Sequence, residues 1–249
     1  MDSQSIATTP QELDGVDLPH PHEHPAYMRH HFEDIGQQRE AANFGMWVFL
    51  LTEIMFFGGL FCAYLIFRNW YHPAFVAGSN MMSITLGTTN TAVLIASSFT
   101  MAMAVYSAEM RRKGQLVLFL VLTILLGFVF LAIKGVEWTT EYQEQHAPGI
   151  NFSIQDFVHP KNPKAIPLAP DMAEKTQLFF FMYFVMTGMH ALHMIIGIGI
   201  LFFLVARASK GAFTEGHVMP IENFGLYWHF VDIIWIFLFP LLYLISRYR

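Results

Sequence analysis

Residues 44–67 read FGMWVFLLTEIMFFGGLFCAYLIF, an apolar run interrupted by a single carboxylate, Glu53. A helix needs about 20 apolar residues to cross a bilayer, so the run is long enough to span. It is continuous rather than alternating, which excludes a transmembrane barrel strand. Glu53 stands about a third of the way along, well inside hydrocarbon unless protein or a water-filled cavity covers it. An ionisable group at that depth costs several kcal/mol, so such residues usually face a bundle interior and serve a function.

The rest of the chain repeats the pattern. Further spans run from about Ser83 to Tyr106, Leu116 to Val136, Gln177 to Ala206 and Phe224 to Ile245. The expected fold is therefore all-α, a polytopic membrane helix bundle of five transmembrane helices. Composition agrees: 54% of the 249 residues are hydrophobic and only 13% charged, about half the charge of a soluble domain. Trp70 and Tyr71, Trp138 and Tyr142, and Tyr227 and Trp228 sit near span ends and read as headgroup-level aromatic belts. No basic patch supports nucleic-acid binding. The lone cysteine, Cys62, rules out an intrachain disulfide, a zinc ribbon and a CxxCH haem attachment. Its expected role is that of a small buried hydrophobe.

Basic residues set the expected orientation. With the N-terminus in the cytoplasm, Arg39, Arg111, Arg112, Lys113, Arg207 and Lys210 share that side. Arg68, Arg247 and Arg249 lie on the other, with Lys161, Lys164 and Lys175 in a long loop that counts weakly, so the bias gives N-in and C-out. Residues 1–43 form a polar, acidic, His- and Pro-rich tail, expected to be cytoplasmic. His20, His22, His24, His30 and His31 within it are read as part of a solvated segment rather than a metal site. The tail lacks the apolar core of a secretion signal and the Arg-rich, acid-poor character of a mitochondrial transit peptide. The expected location is a bacterial inner membrane. Residues 44–249 form the five-helix core, with a long outer loop at about 139–176. Five prolines predict an irregular course for that loop, and its length marks it as functional or poorly ordered.

Several polar groups fall inside the spans. The second, SITLGTTNTAVLIASSFTMAMAVY (83–106), carries Asn90 and Ser97 on one face, suited to close helix contact and interhelical hydrogen bonding. His190 and His193, at i and i+3 in the fourth span, share a face with Met186 and Gly197. His229 and Asp232 repeat that spacing in the fifth. A metal site needs three or four converging ligands, and no HExxH-type base accompanies the pair. Interhelical hydrogen bonding is the favoured reading, and no metal site is expected. Lys134 and Glu137 read as an i,i+3 ion pair near the headgroups, with lipid contact as the alternative. Arg68, Arg111 and Arg207 are the candidates for lipid headgroups at the two interfaces.

Taken together, these segments resemble cytochrome c oxidase subunit III, of the haem–copper oxygen reductases. The likeness rests on QQREAANFGMWVFLLTEIMFFGGLFCAYLIFR (37–68), NTAVLIASS (90–98), KGVEW (134–138), TGMHALHMIIG (187–197) and YWHFVDIIWIFLF (227–239), in family order. Only the tail and the middle of the long loop are unmatched. The resemblance implies a subunit with no cofactor and no catalytic residue of its own, packed on subunit I, which holds the haems and copper. It implies that Glu53 is the family's carbodiimide-reactive carboxylate, linked to proton uptake on the inner side. It also implies bound phospholipid and protection against turnover inactivation. Asn90, Glu137, His190, His193, His229 and Asp232 are the expected intramembrane polar network around Glu53.

Long members of the family have two additional N-terminal helices, and here a polar tail precedes the five-helix core. Five-helix forms occur in bacterial cytochrome c oxidases, in quinol oxidases and in a nitric-oxide-reductase-associated relative. The alternatives are therefore a subunit of one of the latter two, or a stand-alone proton or ion carrier. Against a carrier, the sequence has no inverted repeat and no Gly/Pro-broken helix pair. An intramembrane metalloenzyme built on HALH is the remaining reading. Partners follow from the family: subunit I, other oxidase subunits, membrane lipids, and a larger respiratory supercomplex as a further option.

Overall fold

The computed structural model describes residues 35–160, 167–213 and 218–244. Five long helices dominate: α1 (Ile35–Trp70), α3 (Ile84–Glu109), α4 (Lys113–Gln143), α7 (Thr176–Ser209) and α8 (Met219–Phe239). Each is long and apolar enough to cross a membrane, as hydrocarbon demands of a backbone that must satisfy its own polar groups. Short helices α2 (His72–Met81), α5 (Gln155–Val158) and α6 (Pro170–Glu174) lie between them. Chain order puts the starts of α1, α4 and α8 on one end of the bundle, called here the tail face. The ends of α1 and α4 and the start of α7 form the loop face.

Helices α3 and α4 pack along their length as an antiparallel hairpin, with α8 against α3 and α7 against α4 and α8. Helix α8 is the most buried span and α1 the least. The α3–α4 turn is a Schellman ending with Arg111 in the left-handed region (φ 56°). There Arg112 N–H reaches the Ser107 carbonyl at 2.9 Å and Arg111 N–H that of Ala108 at 3.0 Å, which satisfies carbonyls the helix end leaves open. Helix α4 ends the same way at Gln145 (φ 61°).

The chain beyond α8 continues as a π-helical turn, Pro240–Leu244. Proline lacks an N–H and its ring crowds the preceding turn, so the helix widens and frees carbonyls there. Tyr64 Oη donates to the Leu241 carbonyl and Ser79 Oγ to that of Leu242, both at 2.8 Å. These two bonds tie α1 and α2 to the end of the last span. Helix α2 was not foreseen, because ten residues beginning His-Pro carry no spanning signal. It packs against α7 with Phe75 inside the core.

Other differences from the sequence reading have plain causes. Helix α1 already starts at Ile35, and α4 runs on to Gln143 in the range expected for the loop. The described part of that loop is mostly turns around the short α5, and it packs down onto the bundle, with Phe157 and His146 buried. Cys62 faces outward from the bundle, not inward. Tyr227 and Trp228, expected at headgroup level, are buried between helices. The tail histidines, Lys161, Lys164, Arg247 and Arg249 lie outside the described residues.

Candidate functional site

Glu53 on α1 meets His193 on α7, with Oε2 and Nε2 3.1 Å apart. Both side chains are largely covered, with 18% and 12% of their surfaces exposed. Phe57, one turn along α1, packs its ring on the imidazole at 5.3 Å. On the other side Tyr227 of α8 donates its hydroxyl to the His193 carbonyl at 2.8 Å. The site therefore joins three spans, and α1, the least buried of them, is held to the bundle partly through its one intramembrane carboxylate.

The protonation of the pair follows from hydrogen-bond chemistry. His193 Nδ1 lies 2.7 Å from the carbonyl oxygen of Met189, and a carbonyl only accepts, so the Nδ1 proton is fixed there. In a neutral ring Nε2 then has a lone pair and no proton. The 3.1 Å contact with Glu53 still needs one proton between its two atoms. Either the protonated carboxyl donates to Nε2, or an imidazolium donates to a carboxylate. Both arrangements have zero net charge, which suits a low-dielectric setting where an isolated ion is costly. In either arrangement one proton bridges Glu53 Oε2 and His193 Nε2.

A second buried cluster sits between α4, α7 and the π-helical turn. Lys134 Nζ donates to Glu137 Oε2 at 2.9 Å, to Tyr183 Oη at 3.1 Å and to Tyr243 Oη at 2.7 Å. Tyr243 Oη in turn donates to Glu137 Oε1 at 2.5 Å. The ammonium also lies 4.7 Å from the Tyr183 ring centroid and 5.1 Å from that of Trp235. Each charged side chain is 2% exposed. The ion pair expected near the headgroups is thus enclosed by rings and hydroxyls, and three acceptors saturate the ammonium.

The remaining candidates do not form one network. His229 Nδ1 bonds Ser98 Oγ at 2.7 Å, and Asp232, one turn on, is buried close to Ser98. Ser97 accepts from Trp228 Nε1 at 3.0 Å, while Asn90 is buried with its amide unpartnered among the described residues. His190 points away from His193. Its ring packs on Phe130 at 5.3 Å and Trp235 at 5.1 Å, and neither nitrogen finds a hydrogen-bond partner among the described residues. Residues three apart on a helix diverge by about 60°. That is enough to send the two imidazoles to different neighbours, His193 to Glu53 and Phe57 of α1 and His190 to Phe130 of α4 and Trp235 of α8.

Arg111 and Arg207 are exposed at the tail face, and Arg68 is half-buried near the loop face. The Arg207 guanidinium lies 5.8 Å from the Phe203 ring and 5.9 Å from the Phe213 ring. Phe213 lines the same shallow cleft as Arg111, Arg112 and Lys113. Sequence reasoning missed Tyr227, Tyr183 and Tyr243 as hydrogen-bonding partners, because a tyrosine near a span end reads first as a belt residue. Ser98 was passed over in favour of Ser97, its neighbour on the adjacent face.

The family model for cytochrome c oxidase subunit III matches residues 26–159 and 174–247. This chain belongs to that family. Both matched stretches together carry every helix that builds the Glu53–His193 site and the Lys134 cluster. Among curated proteins, cytochrome c oxidase subunit 3 of Coturnix japonica is 33% identical over 214 residues, covering 82% of this chain and 70% of the relative. The subunit 3 of Thermostichus vulcanus is 29% identical and covers 94% of both chains. A probable quinol oxidase subunit 3 of Staphylococcus saprophyticus is 25% identical over 88% of this chain and 98% of its own length. The bacterial relatives thus align nearly end to end with this subunit III core, whereas the avian one extends beyond it.

Proposed function

We propose that this chain is the non-catalytic third subunit of a haem–copper terminal oxidase in a bacterial inner membrane. It lies N-in and C-out, packs on subunit I, which holds the haems and copper, and supports proton uptake through Glu53. The observation that carries this reading is the Glu53–His193 contact, in which Nε2 lies 3.1 Å from the carboxyl while Nδ1 lies 2.7 Å from the Met189 carbonyl. A site that holds a transferable proton beside the exposed face of α1 suits a subunit that feeds protons to a neighbour. Arg68, Arg111 and Arg207 serve as headgroup contacts, in keeping with basic residues at this depth. The Staphylococcus relative supports the same role in a quinol-oxidizing complex as the second reading.

Two substitutions separate a proton role from a packing role. Glu53→Gln can still hydrogen-bond His193 Nε2 through its amide, but it has no proton to transfer at neutral pH. Glu53→Ala removes both. Each variant of the purified oxidase is expected to keep full haem content. Each should show slower proton uptake and a turnover lifetime shortened several-fold. Unchanged uptake and lifetime in both variants would refute the proton role. Loss of haem in Glu53→Ala but not in Glu53→Gln would instead make Glu53 a packing residue.

A further inference from the structure

The end of α4 on the loop face carries a group of side chains that the oxidase role does not use. The Schellman ending at Gln145 brings His146 N–H onto the Glu141 carbonyl at 3.0 Å, and so sets the His146 ring against the Glu141 side chain. His146 Nδ1 lies 2.9 Å from Glu141 Oε2 and 3.8 Å from Glu144 Oε2. One ligand atom from each of the three residues falls within 4.8 Å of the others. The ring itself is fully buried, stacked on Phe180 at 4.7 Å and against Phe157 at 5.5 Å. Its orientation is fixed by those two rings, not by solvent.

The other ring nitrogen supplies an independent observation. His146 Nε2 is buried with no hydrogen bond among the described residues, and Asp156 Oδ2 stands 3.9 Å from it. With the proton on Nδ1, facing Glu141, the bare Nε2 lone pair points towards a carboxylate. A cation bound at Nδ1 reverses this. The ring proton then moves to Nε2, where Asp156 can accept it. That is the arrangement in which a metal-bound imidazole donates its far N–H to a carboxylate, fixing ring and tautomer.

We propose that Glu141, Glu144 and His146 Nδ1 form a binding site for a divalent transition cation of the zinc class, with Asp156 orienting the imidazole. One imidazole with carboxylates suits borderline cations such as Zn2+, held at about 2.0–2.2 Å. Tetrahedral ligands at that radius lie about 3.4 Å apart, between the two observed separations from Nδ1. A small rotation of the Glu144 side chain, 52% exposed, closes the site and leaves a fourth position open to water. Occupancy would tie the end of α4 to α5, which carries Asp156, and so secure the loop over α7.

The test uses the tagged chain with whatever subunits co-purify, in mild detergent, stripped by chelator and titrated with Zn2+ against a competing dye. Bound zinc is counted per tagged chain and its ligands are read by zinc K-edge absorption. The wild type is expected to take up one equivalent with an all-N/O shell containing one imidazole. Glu144→Gln, which removes a ligand, and Asp156→Asn, which removes the outer-shell partner, both lie outside the buried core, and each should weaken that equivalent at least tenfold, the lower end of the usual effect of losing even an outer-shell partner. Helical content, compared by circular dichroism, confirms that both variants are folded. A wild type that binds no zinc would overturn the proposal. So would zinc retained equally by both variants, or a shell containing sulfur. The outcome does not depend on which electron donor, or which oxidase, the chain serves.

Discussion

Lys134→Met is expected to destabilise the subunit by about 3–5 kcal/mol, the usual cost of leaving one member of a buried ion pair alone. The substitution removes the ammonium from Glu137, which is 2% exposed and cannot recover a partner from water. Tyr183 and Tyr243 lose their common donor at the same time. Methionine fills a similar volume, so the loss reports on charge rather than on a cavity. The double variant Lys134→Met/Glu137→Leu removes both charges and should recover most of the stability, because replacing a whole buried pair by apolar groups is often neutral. Thermal melting of the purified protein measures both. If the single and double variants melted together, the pair would be shown not to act as a unit.

Gly197→Val is expected to have the next largest effect, about 1–3 kcal/mol of overpacking strain. A Cβ at this position would lie 2.9 Å from Trp228 Cζ3 and 3.1 Å from Tyr227 Cε1. Neither ring can move freely. Trp228 is fully buried and bonded to Ser97, and Tyr227 is bonded to the His193 carbonyl. Forcing α7 from α8 should therefore also shift His193 relative to Glu53. The variant should melt lower and share the shortened turnover lifetime of the Glu53 variants. Gly199 offers a control, since a Cβ there meets nothing within 4 Å, and Gly199→Ala should melt like the wild type or slightly above it. Equal losses at both positions would point to helix propensity rather than to close packing.

Much of the architecture was legible in the sequence, for a physical reason. A membrane span must be continuous, apolar and long, and that signal survives without knowledge of any neighbour. All five spans appear in the structure close to their expected places. What was not legible depends on which side of a helix a neighbour stands. Tyr227 and Trp228 lie near the start of α8 and look like belt residues, yet both turn inward because Gly197 leaves room for them. His190 and His193 share a face by count, but only His193 meets α1. The buried setting of Lys134 requires Tyr183 of α7 and Tyr243, both remote in sequence, and Tyr243 is presented by the π-helical turn that begins at Pro240. The His146 cluster depends on a left-handed residue at Gln145, a position where glycine would have been the readable sign.

The most direct measurement of the central claim is the isolation of the tagged chain from its native membrane in mild detergent, followed by a haem spectrum and identification of the co-eluting subunits. The account predicts that the chain elutes with a stoichiometric haem–copper subunit I, and that the isolated complex reduces oxygen. A chain that elutes alone, free of haem, from membranes whose oxidase remains intact elsewhere would contradict it.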